Sequence, residues 1–277
     1  MRWDQGVKQI LLCDSDLVAS ALCCFATDLL PINGEIFVME LIFRADAYAK
    51  SCEAVVQKID EKGVWLDRTI FYAEGGGQPG DKGVLIGPDG TKRTVANAIK
   101  GDGPETSVHV LAEDAPALAV GDKVTAEIDW DHRHTLMRMH TAMHLLCSIV
   151  PAGVTGGQVG LAKSRLDFDV GETTLVKEDI QAALDGLSGK DAPVTFRWID
   201  DADLDANPEL VRTMSVAPPR GSGKVRLISI GDDAIDLQPC GGTHVANTSE
   251  IGRIVVGKIE NKGKRNRRVN ITLEDPA

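Results

Sequence analysis

Two short stretches of this 277-residue chain carry side chains whose types and spacing could hold a metal ion. His140-Thr141-Ala142-Met143-His144 sets two imidazoles four positions apart. On a helix that step puts both on one face, one turn above the other. Cys240-Gly241-Gly242-Thr243-His244 repeats the step with a thiol and an imidazole. Four nitrogen and sulfur donors are what Zn²⁺ takes in tetrahedral sites. Either pair alone is a common coincidence, but together they use three of only six histidines. Gly241-Gly242 also suits a loop wrapped closely around an ion. One Zn²⁺ per chain is therefore expected at His140, His144, Cys240 and His244. The metalloprotease pattern H-E-x-x-H is excluded, because Thr141 stands where its glutamate base belongs.

A third stretch, FYAEGGGQPGD at residues 71–81, matches G-x-G-x-x-G literally through Gly75, Gly77 and Gly80. A dinucleotide loop needs a helix opening within the glycines to hold the pyrophosphate. Pro79-Gly80 runs instead into Asp81-Lys82-Gly83 and a strand-like segment, so no nucleotide cofactor is expected. The reading is a turn between strands in which bare backbone lets a ligand come close.

A fourth feature is charge. Residues 258–268 read KIENKGKRNRR, six cations against one Glu on a chain of net charge −11. Such an overall charge excludes general adhesion to nucleic acid. The cluster Lys262, Lys264, Arg265, Arg267 and Arg268 reads either as a solvated hairpin face or as one oriented contact with RNA phosphates.

These residues need elements to position them. Short segments rich in Val, Ile and Thr, split by turn signals such as Pro88-Asp89-Gly90, run from residue 55 to 129 and suggest a small barrel or sandwich. From 133 to 150 there is no Gly or Pro, and Leu136, Met139, His140, Met143, Leu146 and Cys147 recur at helical spacing. Strands are expected at 165–170, 194–198 and 225–230, a helix at 177–187, and a terminal hairpin from 251–259 and 268–273. The fold class is α+β: a β-barrel-like domain over 39–130, then an α+β zinc-containing domain over 131–277. Residues 1–38 read as an appended helix, or as a stretch upstream of a true start at Met39. Asp14, Asp16, Asp28 and Glu35 interrupt its apolar run, so no membrane span is expected. Six sparse cysteines argue for a reduced, cytoplasmic setting. His109, His132 and His134 are assigned to packing or surface, and Cys147 to the core.

The paired motifs at 140–144 and 240–244 resemble the zinc motifs of the alanyl-tRNA synthetase editing domain. FYAEGGGQPGD, RLDFD at 165–169 and ENKGKRNRRV at 260–269 resemble that family in order and spacing. The similarity spans residues 40–273, and with no room for an aminoacylation domain the chain is similar to freestanding AlaX-type editing proteins of medium length. The resemblance implies an ATP-independent trans-editing deacylase. It would hydrolyse Ser-tRNA(Ala), and Gly-tRNA(Ala) as a further substrate, while sparing Ala-tRNA(Ala). Its partner would be the tRNA(Ala) acceptor end, met by a monomer or homodimer. The resemblance also places Gln158 in the editing pocket, and Gly75, Gly76, Gly77 and Gln78 near substrate. Relatives often carry Gly-Ser where Gly160-Leu161 stands here. Thr141, Gln158 and the amides near Gly76 are the candidates for sensing the serine hydroxyl. The zinc either activates the reaction directly or positions substrate. The competing class is a zinc-stabilised RNA-binding module without hydrolysis.

Replacing Lys264, Arg265 and Arg267 with neutral residues is expected to weaken tRNA binding and flatten its salt dependence. An unchanged affinity and salt slope in a filter-binding titration would leave the hairpin as a solvated face.

Overall fold

The computed structural model describes residues 30–32, 35–37, 39–103, 105–214 and 223–274. Six antiparallel strands close into a barrel: β1 (Ser51–Asp60), β2 (Gly63–Leu66), β3 (Gly83–Ile86), β4 (Lys92–Ile99), β5 (Val108–Leu111) and β6 (Lys123–Ile128). Around the barrel the order is β6-β1-β2-β5-β4-β3, and β3 pairs with β6 to close it. The alternation along each strand explains the closure. Ala54, Val56, Val64, Leu66, Leu85, Val95, Val124 and Ala126 all point inward into one core. His109 is fully buried in the barrel wall, where its Nδ1–H donates to the Val64 carbonyl (3.0 Å) and Nε2 pairs with the Thr69 hydroxyl (2.8 Å). Burial pushes its pKa down to about 4, so it is a neutral packing residue as expected.

Helix α1 (Trp130–Ile149) leaves the barrel directly. Asp129 caps it, accepting from the His132 amide at 3.1 Å, and Pro151 ends it. Twelve of its twenty residues are buried, so it is a central core helix rather than a surface one. One wall around it is the sheet β7-β8-β13-β12, made of β7 (Gly153–Gln158), β8 (Ser164–Asp169), β12 (Arg253–Asn261) and β13 (Asn266–Glu274). The other wall is the three-stranded sheet β9 (Val194–Asp200), β10 (Lys224–Ile230) and β11 (Asp236–Pro239). Helix α2 (Lys177–Ser188) packs on α1 and on β12. The expected terminal hairpin is present as β12 and β13. Two strands of these two sheets escaped the sequence reading. β7 has glycine at three of its six positions, and β11 is only four residues long.

Of the expected extension over 1–38, most lies outside the described residues. Leu30–Ile32 and Glu35–Phe37 pair antiparallel there, extended where a helix was expected. Pro31 cannot donate to a helical ladder. Among the described residues no helix is long and apolar enough to cross a membrane.

Barrel and helix are tied at the first turn of α1. Arg133 and Asp81 are both wholly inaccessible to solvent. The guanidinium Nε donates to both Asp81 oxygens, at 2.9 and 3.0 Å, and Nη2 donates to Asp81 as well. Nη1 reaches the Ala47 carbonyl at 2.9 Å and Nη2 the Ile70 carbonyl at 2.6 Å. Asp81 Oδ2 also accepts from the Tyr72 amide at 2.6 Å. The pair thus clamps both ends of the glycine loop to α1, and His140 lies seven residues, two turns, further along the same helix.

Removing either partner leaves an uncompensated buried charge, so Arg133→Met or Asp81→Leu alone is expected to cost about 3–5 kcal/mol. The double replacement should cost much less than the sum, by urea denaturation. Strict additivity would mean that the two do not act as a pair.

Candidate metal centre and adjoining cavity

α1 presents His140 and His144 on one face because they stand one turn apart. β11 delivers the thiol: it pairs with β10, and the amide of Cys240 just beyond its end donates to the Arg226 carbonyl at 3.0 Å. The loop then curls back to His244. Gly242 permits the close approach, since a Cβ there would lie 2.3 Å from His140 Cε1. The four donor atoms all fall within 4.8 Å of one another, a group that could hold a metal ion. Cys240 Sγ lies 3.6 Å from His140 Nε2 and 3.4 Å from His244 Nε2. A tetrahedral ion with zinc-length bonds would set such N···S separations at about 3.6 Å. The donor set fits.

Each imidazole is held by its other nitrogen. His140 Nδ1–H donates to Gln78 Oε1 at 2.7 Å, and Gln78 is fixed by Thr243, its Nε2 donating to Oγ1 at 2.9 Å. His144 Nδ1–H donates to Asp236 Oδ2 at 2.7 Å. Thr141 donates its hydroxyl proton to the Met137 carbonyl (2.9 Å), so the same oxygen accepts from His244 Nδ1 at 3.2 Å. Three different partners therefore leave three Nε2 lone pairs facing one point. The charges agree. Burial would push the Cys240 thiol up, but the imidazoles of His140 and His244 hold it well below its usual value. Burial, with the neighbouring charge of His140, holds His244 well below its own. His144 goes the other way, raised to about 10 against its burial by Asp236 and Cys240, so a cation bound there must displace its Nε2 proton. The pocket is electron-rich and draws positive charge.

A cavity of about 310 Å³ opens on this cluster, with His140, His144 and Cys240 in its wall and Gly75 and Gly76 among its barrel-side residues. His244 is not in that wall. Gly77 has φ +83°, and a Cβ on it would stand 2.8 Å from the Gly157 carbonyl oxygen, so the loop lies directly on β7. The next backbone bond runs from Val159 N to Gly77 O, at 2.8 Å. Of the residues expected at the substrate, Gln78 is buried behind His140 and Thr141 behind His244. Gln158 is exposed beside the glycine loop, outside the cavity wall. Arg44, Lys100 and Arg212 line the cavity and were missed. They come from three separate segments with no shared spacing. Asp236 was legible in principle: residues 236, 238 and 240 alternate on one strand face leading to the thiol.

The basic hairpin is less free than its sequence suggests. β8 runs beside β13, and this brings acids onto the cations. Arg268 makes a two-pronged pair with Asp167 at 2.7 and 2.8 Å, Arg265 meets Asp169 at 2.9 Å, and Lys262 meets Glu260 at 2.8 Å. The Arg265 and Lys262 pairs are solvent-facing and of small worth, so they can yield to phosphate, whereas the Arg268–Asp167 pair is partly buried. Asp167 and Asp169 bring the local excess down from five to three, since Glu260 already stands in the linear count.

A family model described as "Threonyl and Alanyl tRNA synthetase second additional domain" matches residues 225–270, and one described as "tRNA synthetases class II (A)" matches 38–132. The chain is similar to the alanyl-tRNA editing protein AlaX-M of Methanosarcina barkeri, 37% identical over 245 residues, 85% of this chain and 99% of that one. It is 34% identical to AlaX-M of Saccharolobus solfataricus over 239 residues, covering 85% and 99%. It is also 35% identical over 231 residues to the alanine–tRNA ligase of Pyrobaculum aerophilum, covering 79% of this chain and 25% of the ligase.

Cys240→Ala is expected to abolish metal binding, and Asp236→Ala to weaken it about 10–100-fold by freeing His144. Titration with Co²⁺, followed by its d–d absorption bands, reads both, since those bands do not need the thiolate. Wild-type affinity in Asp236→Ala would show that the carboxylate does not position the ligand.

Proposed function

The chain belongs to the family of AlaX-M alanyl-tRNA editing proteins, and from that premise we propose that it hydrolyses the ester of serine mischarged on tRNA(Ala), accepts Gly-tRNA(Ala) as a further substrate, and spares Ala-tRNA(Ala). The observation that carries the reading is a three-histidine, one-cysteine cluster of which His140, His144 and Cys240 stand in the wall of a cavity that the glycine loop also lines. In this reading His140, His144 and Cys240 hold a Zn²⁺ from the cavity wall and His244 holds it from behind. A bound Zn²⁺ would polarise the ester carbonyl, lower the pKa of a water to about 7, or orient the substrate amine.

The chain's own residues do the positioning. Gln78, Asp236 and Thr141 keep the imidazoles turned toward one point. The Thr141 hydroxyl is committed to His244 and Met137, so it acts on substrate through its ligand. Sensing of the serine hydroxyl then falls to the backbone of the glycine loop, with Gln158 at its edge. The Gly75 and Gln78 amides are used within the turn, at 3.1 and 2.9 Å. Among the described residues the Gly76 amide donates to no protein acceptor, which suits it to a substrate oxygen. A site built to hydrogen-bond a hydroxyl rejects the analogue that lacks it, because its own polar groups stay unpaired. The cations of the hairpin, Lys262, Lys264, Arg265, Arg267 and Arg268, would bind acceptor-stem phosphates by exchanging their carboxylate partners.

One observation favours a second reading. Four protein donors already complete a tetrahedral ion, which is the composition of a structural zinc. In that case the chain binds the acceptor end without cutting it.

Incubation with Ser-tRNA(Ala) and Ala-tRNA(Ala), following free amino acid, separates the two. Serine release at least about a hundredfold faster than alanine release is expected. Binding of tRNA with no release of either would establish the structural zinc module.

A further inference from the structure

Among the described residues, only two exposed large apolar side chains are aromatic, and they are neighbours: Phe196 (40% exposed) and Trp198 (37%). Both lie on β9, the outer strand of the three-stranded sheet. Two positions apart on a strand, they share one face. Each is matched with an arginine. Arg226 sits 4.7 Å from the Phe196 ring and Arg44 5.9 Å from the Trp198 ring, both within cation–π range.

The register shows where this face leads. Trp198 is paired across the sheet with Arg226, whose carbonyl accepts from the Cys240 amide. Phe196 is paired with Ile228, and Ile228 with Gln238. Cross-strand partners share a face, so the aromatic rows run through β10 to Gln238 and Cys240, which line the cavity. Two strand spacings, roughly 10 Å, separate Trp198 from the row of the thiol. Arg44 belongs to both places, being a cavity residue that also stands over Trp198. Arg226 bonds the Cys240 and Gly242 carbonyls through Nη1, at 3.3 and 2.9 Å. Its buried Nε has no acceptor among the described residues, and a polar group buried in that way calls for an explanation.

We infer that the Phe196–Trp198 face, with Arg44 and Arg226, stacks the unpaired nucleobases that immediately precede the 3′-terminal aminoacylated nucleoside. This rests on the proposed editing function and names how its substrate is held. Chemistry selects the occupant. A single strand offers exposed base faces for the rings and phosphates for the guanidinium groups, and stacking of this kind tolerates any base. A duplex stem would meet the aromatics with sugar and phosphate only. The strand also has a reason to pass here. An ester drawn into the cavity trails its own nucleotides across the adjoining surface, and this face is continuous with the cavity wall. The basic hairpin serves the paired stem, so the two surfaces divide the substrate into single-stranded and duplex parts.

The test uses the full chain and an uncharged minihelix of the tRNA(Ala) acceptor, intact or with abasic residues at the unpaired positions before the terminal adenosine. The wild-type protein is expected to bind the abasic minihelix about tenfold more weakly, within the range for loss of a base–aromatic stack. Phe196→Ala with Trp198→Ala should weaken binding of the intact minihelix by a similar factor and remove the difference between the two RNAs. Tyrosine at both positions should restore it. Equal affinity of the wild-type protein for both RNAs would overturn the inference, and that measurement needs no variant to fold. Loss in the alanine variant that persists with the abasic RNA would overturn it too, marking a structural or protein-docking role for the aromatics. Because the readout is binding, a wild-type protein that releases no serine would remove the editing reading alone.

Discussion

The buried pair Arg133–Asp81 is the constraint on which the rest of the geometry depends. Taking both charges out of water is costly, and only the complete set of partners offsets it: two carbonyls for the guanidinium, an amide for the carboxylate, and each for the other. That requirement admits few arrangements. Asp81 closes the glycine loop, Arg133 stands on the first turn of α1, and Ala47 and Ile70 belong to the segments that flank the barrel wall. Once these meet, the height and rotation of α1 against the barrel are set, and with them the direction of His140 and His144.

The donor cluster then follows by short steps. Gln78, three residues before Asp81, reaches His140, so the clamp that seats the loop also seats an orienting group for one of the donors. The barrel thereby contributes to the cluster without supplying a donor atom. From the opposite side β11 brings Asp236 and Cys240 on one strand face, and Gly242 lets the chain turn against the His140 ring. Three independent elements converge, and their side chains raise one electron-rich pocket at the end of the cavity. A site assembled in this way responds as a unit: loss of an orienting partner disturbs a ligand before it touches the chemistry.

Much of this was legible in the chain. Strand-period alternation between turn signals marked the barrel, and the absence of Gly and Pro over 133–150 marked the central helix. The pairs at 140–144 and 240–244 declared their donors by type and spacing, and the structure brings them within 4.8 Å. Residues 71–81 lead into β3 and no helix opens in them, as the run Asp81-Lys82-Gly83 after Pro79-Gly80 suggested. Other features left no local trace. The short β11 and the glycine-heavy β7 lack strand propensity and exist because their neighbours pair with them. The charge of the hairpin was overcounted, because Asp167 and Asp169 lie about a hundred positions from the arginines they meet.

The sequence by itself determined the donor chemistry and the class of fold, because both rest on local rules: residue type, a four-residue step, and periods of two and 3.6. Tertiary structure alone decided what each donor is held by and what faces the cavity. Thr141 shows the difference. It stands among the candidates for sensing the serine hydroxyl, and α1 turns it inward, where His244 and the Met137 carbonyl take its hydroxyl. Arg44, Lys100 and Arg212 show the converse, unremarkable in the chain and adjacent in space. Side-chain direction depends on how an element is rotated against partners distant in sequence. Here that rotation is set by a buried ion pair between residues 52 positions apart, a relation that no window along the chain contains.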